Sequence, residues 1–66
     1  MTKLLLTADE TAQLIGFSRS KTYAMLKSGE LPSLKVGRTR RVPAAALEEW
    51  VRDQAARQER AKRRAD

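Results

Sequence analysis

The sequence predicts a small α+β fold, mostly α: two short helices joined by a tight turn, a β-hairpin, and a last helix. Three observations carry that prediction. Apolar residues recur at helical spacing in two stretches separated by Gly16-Phe17. Short β-prone runs flank a Gly37-Arg38-Thr39 turn. Beyond Pro43, Leu47, Trp50 and Val51 follow one helical face.

Taken in order, Leu4 to Leu6 is a short apolar entry, read as a strand or a strap across the core. Thr7 begins the first helix. Thr7 and Glu10 have the spacing of a capping box, and Asp9 and Glu10 suit the positive end of a helix dipole. Ala8, Thr11, Ala12 and Ile15 make its inward face, with two alanines that let another helix approach closely. Gly16 ends it by taking a positive φ, and Phe17 is expected to be buried at the corner. Ser18 caps the second helix, which runs to a left-handed stop at Gly29. Thr22, Met25 and Leu26 are its inward residues. Leu34, Val36 and Val42 are the apolar members of a hairpin with strands near residues 34–36 and 40–42. Pro43 fits the first turn of the last helix, where Leu47, Trp50, Val51 and Gln54 share a face and Trp50 is the expected core plug. The folded unit is assigned to residues 1–51. Residues 52–66 form a basic extension with no apolar side chain larger than Ala, either helical or disordered.

Composition narrows the function. A chain of 66 residues makes one small domain with little core. It has no His and no Cys, so Cys/His zinc sites are excluded and no metal or cofactor is expected. Neither does it offer the usual nucleophile–base sets, and its paired acids Asp9-Glu10 and Glu48-Glu49 suit a helix start and a helix surface, so no enzyme is expected. No apolar run is long enough to cross a bilayer, which points to a cytoplasmic protein without a membrane partner. The net charge of +6 is concentrated: from Ser18 to Val42, seven bases (Arg19, Lys21, Lys27, Lys35, Arg38, Arg40, Arg41) stand against Glu30 alone. Concentrated positive charge points to a phosphate backbone or another anionic surface.

The placement of that charge is more telling. The second helix opens with Arg19 and Lys21 at the end where its dipole disfavours cations, a small penalty that a polyanion relieves. Helix, glycine turn and Ser-capped basic helix form the helix-turn-helix pattern, and the hairpin with Arg38, Arg40 and Arg41 forms a wing beside it. Both segments also fit blander roles, as a solvated helix face and as edge charges that prevent aggregation. Together they fit a duplex gripped at neighbouring grooves. Arg19 or Lys21 would bond guanine edges, and Ser20 a base or phosphate. Tyr23 would bond phosphate through its hydroxyl or serve as a packing ring. Arg38 would enter the minor groove. Lys27, Lys35, Arg40 and Arg41 would anchor to phosphates, with Ser18 and Thr39 at the edges of the two surfaces.

The run from Leu4 to Val51 resembles the excisionase-type helix-turn-helix family, related to MerR-like winged DNA-binding domains. The matching features are a leading Leu-Thr, Gly-Phe-Ser-Arg at the turn, Tyr23 in the second helix, Lys27-Ser28-Gly29-Glu30-Leu31-Pro32, the Lys35-Val36-Gly37-Arg38 hairpin, and Leu47 followed by Trp50. Thr22 departs from the pattern, where a branched apolar residue is frequent. The resemblance implies a winged helix-turn-helix and an excisionase, a recombination directionality factor of a mobile element. Its implied partners are double-stranded DNA, a site-specific integrase and other copies of itself on adjacent sites. It implies DNA contacts at Arg19, Ser20, Lys21, Tyr23 and Arg38. A small transcriptional regulator would use the same surface, and a protein-interaction module built on the charged last helix is a further reading.

Overall fold

The computed structural model describes residues 3–65, with the side chains of residues 63–65 left aside. Six elements follow one another: β1 (Leu5–Leu6), α1 (Ala8–Ile15), α2 (Arg19–Ser28), β2 (Leu34–Val36), β3 (Thr39–Pro43) and α3 (Ala44–Ala65). The three strands form one antiparallel sheet in the order β1-β3-β2. This is the winged helix-turn-helix that the sequence predicts.

The first two helices start by the same device. Thr7 closes a capping box with Glu10, its hydroxyl accepting from the Glu10 amide at 3.1 Å while the Glu10 carboxylate accepts from the Thr7 amide at 2.9 Å. Ser18 accepts from the Lys21 amide at 3.1 Å. Four residues after each cap sits a threonine with no solvent exposure, Thr11 and Thr22. Each donates its hydroxyl to the cap carbonyl at 2.9 Å, so neither buries an unmet polar group. Thr22 therefore fills an inward position usually held by a hydrocarbon, with its polar atom satisfied inside its own helix. With Ala12 also buried, α1 and α2 pack closely across the turn. Gly16 (φ 73°) and Gly29 (φ 87°) end the two helices in the left-handed conformation.

The core takes one side chain from each of four elements and one from a loop: Leu6 of β1, Leu26 of α2, Leu31 of the following loop, Val42 of β3 and Leu47 of α3. Ala8, Ile15, Met25, Ala44 and Trp50 pack around its margin. Leu31 and Val42 are the most enclosed, each at 1% exposure. Several sequence expectations are corrected here. Trp50 is not the plug but a half-buried rim residue, because four leucines and a valine already fill the centre. Phe17 is half-buried, since its ring carries the Lys21 ammonium 4.4 Å from its centroid and stays at the surface. Val51, expected on the inward face of α3, is exposed, and only Leu47 of that face is fully buried. Leu34 and Val36 of β2 are exposed as well.

Pro43 is also reassigned. It ends β3, opposite Leu5, and does not open α3. Proline has no amide hydrogen to donate, and the next sheet bond comes from the Ala44 amide to the Leu4 carbonyl at 2.9 Å. The hairpin loop is Gly37-Arg38, because Thr39 already pairs with Val36 as the first residue of β3. Gly37 takes φ 63° at the first loop position, where a two-residue hairpin calls for glycine. α3 continues through the basic extension to Ala65, about 33 Å of helix at 1.5 Å per residue. Beyond Arg52 its described side chains are exposed except for half-buried Gln54, and Arg57 pairs with Asp53 at 3.0 Å.

Two outcomes are expected. Leu31→Ala, which opens a void at the centre, should cost about 3 kcal/mol. In a domain this small that should broaden or abolish the cooperative melt followed by circular dichroism. Glu10, bonded to Lys3 and the Thr7 amide, has its pKa lowered from 4.5 to about 2. A depressed folded pKa gives stability that is present above 4.5 and lost as pH falls towards about 2. The melting temperature should decline through that window, and Glu10→Gln should flatten the decline while lowering the plateau above it.

Candidate nucleic-acid interface

Burying Thr22 and Leu26 decides which side of α2 meets solvent. The side chains of Arg19, Tyr23 and Lys27 are then spaced four residues apart along one exposed stripe. Ser20 and Lys21 are exposed on the neighbouring flank, where Lys21 folds back over Phe17.

The stripe meets the wing. Tyr23, Ala24 and Lys27 of α2, Arg40 and Arg41 of β3, and Thr7, Ala8 and Asp9 at the start of α1 line one open groove of about 560 Å³. Its cations thus come from two segments more than ten residues apart in sequence. Lys35, Thr39 and Arg38 lie outside that lining, farther along the hairpin, with Arg38 at the exposed turn. Ser18 serves as the cap of α2, its hydroxyl engaged by the Lys21 amide.

The side chains of this surface fall into two groups. Some are held. Arg19 Nε lies 2.8 Å from Asp9 Oδ1, and its guanidinium carbon stands 5.9 Å from the Tyr23 ring centroid. Tyr23 first and Asp9 second hold the Arg19 pKa above its ordinary value. Arg40 donates to the Ser33 hydroxyl and Arg41 to the Arg40 carbonyl, both at 2.9 Å. Others are untied: among the described residues Lys27, Lys35 and Arg38 have no acidic partner and no side-chain hydrogen bond. Lys35 and Arg40 stand directly opposite each other across β2 and β3. Like charges at that spacing destabilise a sheet unless an anion lies between or above them.

Asp9 was legible only as a helix-start acid, and its place in the groove comes from the packing of α1 on α2. Ser33, which orients Arg40, gave no signal at all. Among the described residues no cluster of acids could hold a metal ion, and no helix is long and apolar enough to cross a membrane.

Comparison with known proteins places the chain in a helix-turn-helix family. The helix-turn-helix domain family matches residues 5–55. A protein of Streptomyces ambofaciens named "Excisionase" is 35% identical over 54 residues, covering 82% of this chain and 87% of its own length. A protein of Saccharopolyspora erythraea named "Probable excisionase" is 43% identical over 49 residues, covering 74% of this chain and 50% of its own. The chain thus spans about half the length of that second relative. No solved structure matches the chain.

The Lys21–Phe17 contact should be visible in solution. Phe17→Leu removes the ring under Lys21 while keeping an apolar side chain at a half-buried site. The Lys21 Hε resonances, shifted upfield by the ring, should return to their ordinary position, with a change in melting temperature of only a few degrees.

Proposed function

Because this chain belongs to the excisionase-type helix-turn-helix family, we propose that it binds double-stranded DNA through α2 and the wing and directs a site-specific integrase towards excision of a mobile element. The observation that carries this reading is the shared groove, in which Tyr23 and Lys27 of α2 face Arg40 and Arg41 of β3. A single α-helix fits the major groove, which is about 12 Å wide. With α2 there, the stripe of Arg19, Tyr23 and Lys27 runs along base edges and the flanking backbone. The wing then reaches the adjacent minor groove with Arg38 at its tip, where narrow A·T tracts attract arginine. Lys27, Lys35, Arg40 and Arg41 neutralise phosphates on either side. Ser20 and Lys21, on the flank of the stripe, meet a second stretch of backbone or an adjacent base. Tyr23 donates its hydroxyl to phosphate.

The electrostatics favour this arrangement. Lys21 in the first turn of α2 and the facing pair Lys35 and Arg40 are both favoured by a nearby anion, and one duplex supplies it to both. The chain does no bond chemistry of its own in this scheme. It shapes the DNA, and the integrase cuts and joins. A single copy covers a short site, so copies bind side by side and together bend the duplex. Residues 1–51 carry the DNA-binding unit, and residues 52–66 add general attraction to DNA or contact a neighbouring protein.

Neutralising five or six phosphates gives a slope of log K against log salt of roughly −5. Lys27→Ala should weaken binding to all duplexes alike and make that slope shallower by about 0.9. In an excision assay with integrase, Arg19→Ala and Arg38→Ala should abolish product formation. A chain ended after Ala55 should keep the sequence preference at lower affinity. Full activity of both arginine variants would show that the protein works by protein contact instead. Duplex binding with no effect on excision would favour a transcriptional regulator.

A further inference from the structure

An acid does not belong on a surface that meets phosphates unless it has a task there. Asp9 lines the same groove as Lys27, Arg40 and Arg41, and its side chain is 55% exposed. Its partner Arg19 is 71% exposed, at the start of α2. An ion pair this open to solvent adds little to stability. The start of α1 is already secured by the capping box of Thr7 and Glu10. What the pair does achieve is geometric: it ties the first side chain of α2 to a neighbouring helix, with the Tyr23 ring beside it.

We infer that Asp9 is a positioning residue for sequence recognition, holding Arg19 by its Nε side so that the guanidinium addresses a base edge and does not swing to the nearest phosphate. The inference rests on the DNA-binding reading of the same surface. An untethered arginine in a duplex groove has phosphates all around it, and those contacts carry no sequence information. Restraint by Asp9 removes that alternative in two ways. The carboxylate occupies the Nε side of the fork, and its negative charge repels a phosphate that approaches Arg19 from the α1 side. The planar end of the side chain keeps the geometry that guanine O6 and N7 accept in pairs. Asp9 thereby lowers affinity for DNA in general and raises discrimination. Lys27 and Arg38, which have no such partner among the described residues, supply affinity.

The experiment is selection of bound sequences from a random duplex pool, followed by titration of the selected and of unrelated duplexes over a range of salt. The full chain, Asp9→Asn, Arg19→Lys and the double variant are compared. The full chain is expected to select a site with one strongly preferred guanine that Arg19→Lys relaxes. Asp9→Asn should relax preference at that same guanine and leave the other positions intact. Its affinity for unrelated duplexes should rise, and its salt slope should steepen by up to about 0.9 as Arg19 takes a phosphate. The ratio of selected to unrelated binding should fall about tenfold, the scale of one base-reading pair. The double variant should relax no further than Arg19→Lys, because the two residues act as one unit. Thermal melts of the free variants report any loss of helix α1 separately.

An unchanged consensus with Asp9→Asn, whatever its melting temperature, overturns the inference while the DNA-binding reading stands. So does relaxation spread evenly over the site, which would mark a merely structural acid. A full chain that selects no consensus and ignores duplex DNA at low salt overturns both.

Discussion

Val42 is where the core and the cationic surface are held together. It sits at 1% exposure in β3, the central strand, paired with Leu6 on one side of the sheet and packed among Leu26, Leu31 and Leu47. The same strand carries Arg41 and Arg40 one and two residues earlier. Burying Val42 therefore fixes where those arginines stand relative to α2, whose own Leu26 enters the same cluster. The groove is thus a by-product of the core: the start of α1, one face of α2 and two residues of β3 set its walls. Among the described residues there is no second buried cluster to hold the wing if this one fails.

The surface carries more like-sign charge than the folded chain alone would favour. The N-terminus of α2 has cations where the dipole prefers acids, and Lys35 faces Arg40 across the hairpin. Each cost is small, well within what the core of a small domain tolerates. Both are relieved by the same kind of ligand at the same time. That coincidence ties the electrostatics to the family to which the chain belongs. The local exceptions lie on the cationic surface, while the Thr7 capping box, the Ser18 cap, the glycine stops and the buried threonines each satisfy theirs.

Thr22 shows how closely the polar requirements are met. A hydroxyl in the interior is costly only if it lacks a partner, and here the cap carbonyl of its own helix is within reach. Thr11 repeats the arrangement one helix earlier. Both threonines are fully enclosed, and the two helices that carry them pack closely on each other. That close contact is also what sets Asp9 beside Arg19, ten residues later in the chain.

The local features were legible in the residues because their causes are local. The capping box at Thr7, the Ser18 cap, the left-handed Gly16 and Gly29, the hairpin turn at Gly37 and the inward faces of α1 and α2 all follow from interactions within a few residues. The concentration of cations from Arg19 to Arg41 was equally plain. Long-range competition for the interior was not. Leu31 lies in a loop with no periodicity to mark it, yet it is at the centre, while Trp50, the larger side chain, is left at the rim. Pro43 was claimed by β1, a pairing across nearly forty residues that no local pattern announces. The sequence by itself determined which elements form and what charge they bear. Only the tertiary structure decided which cations share a groove and that an acid stands among them, because that depends on how two helices and a strand divide one small core.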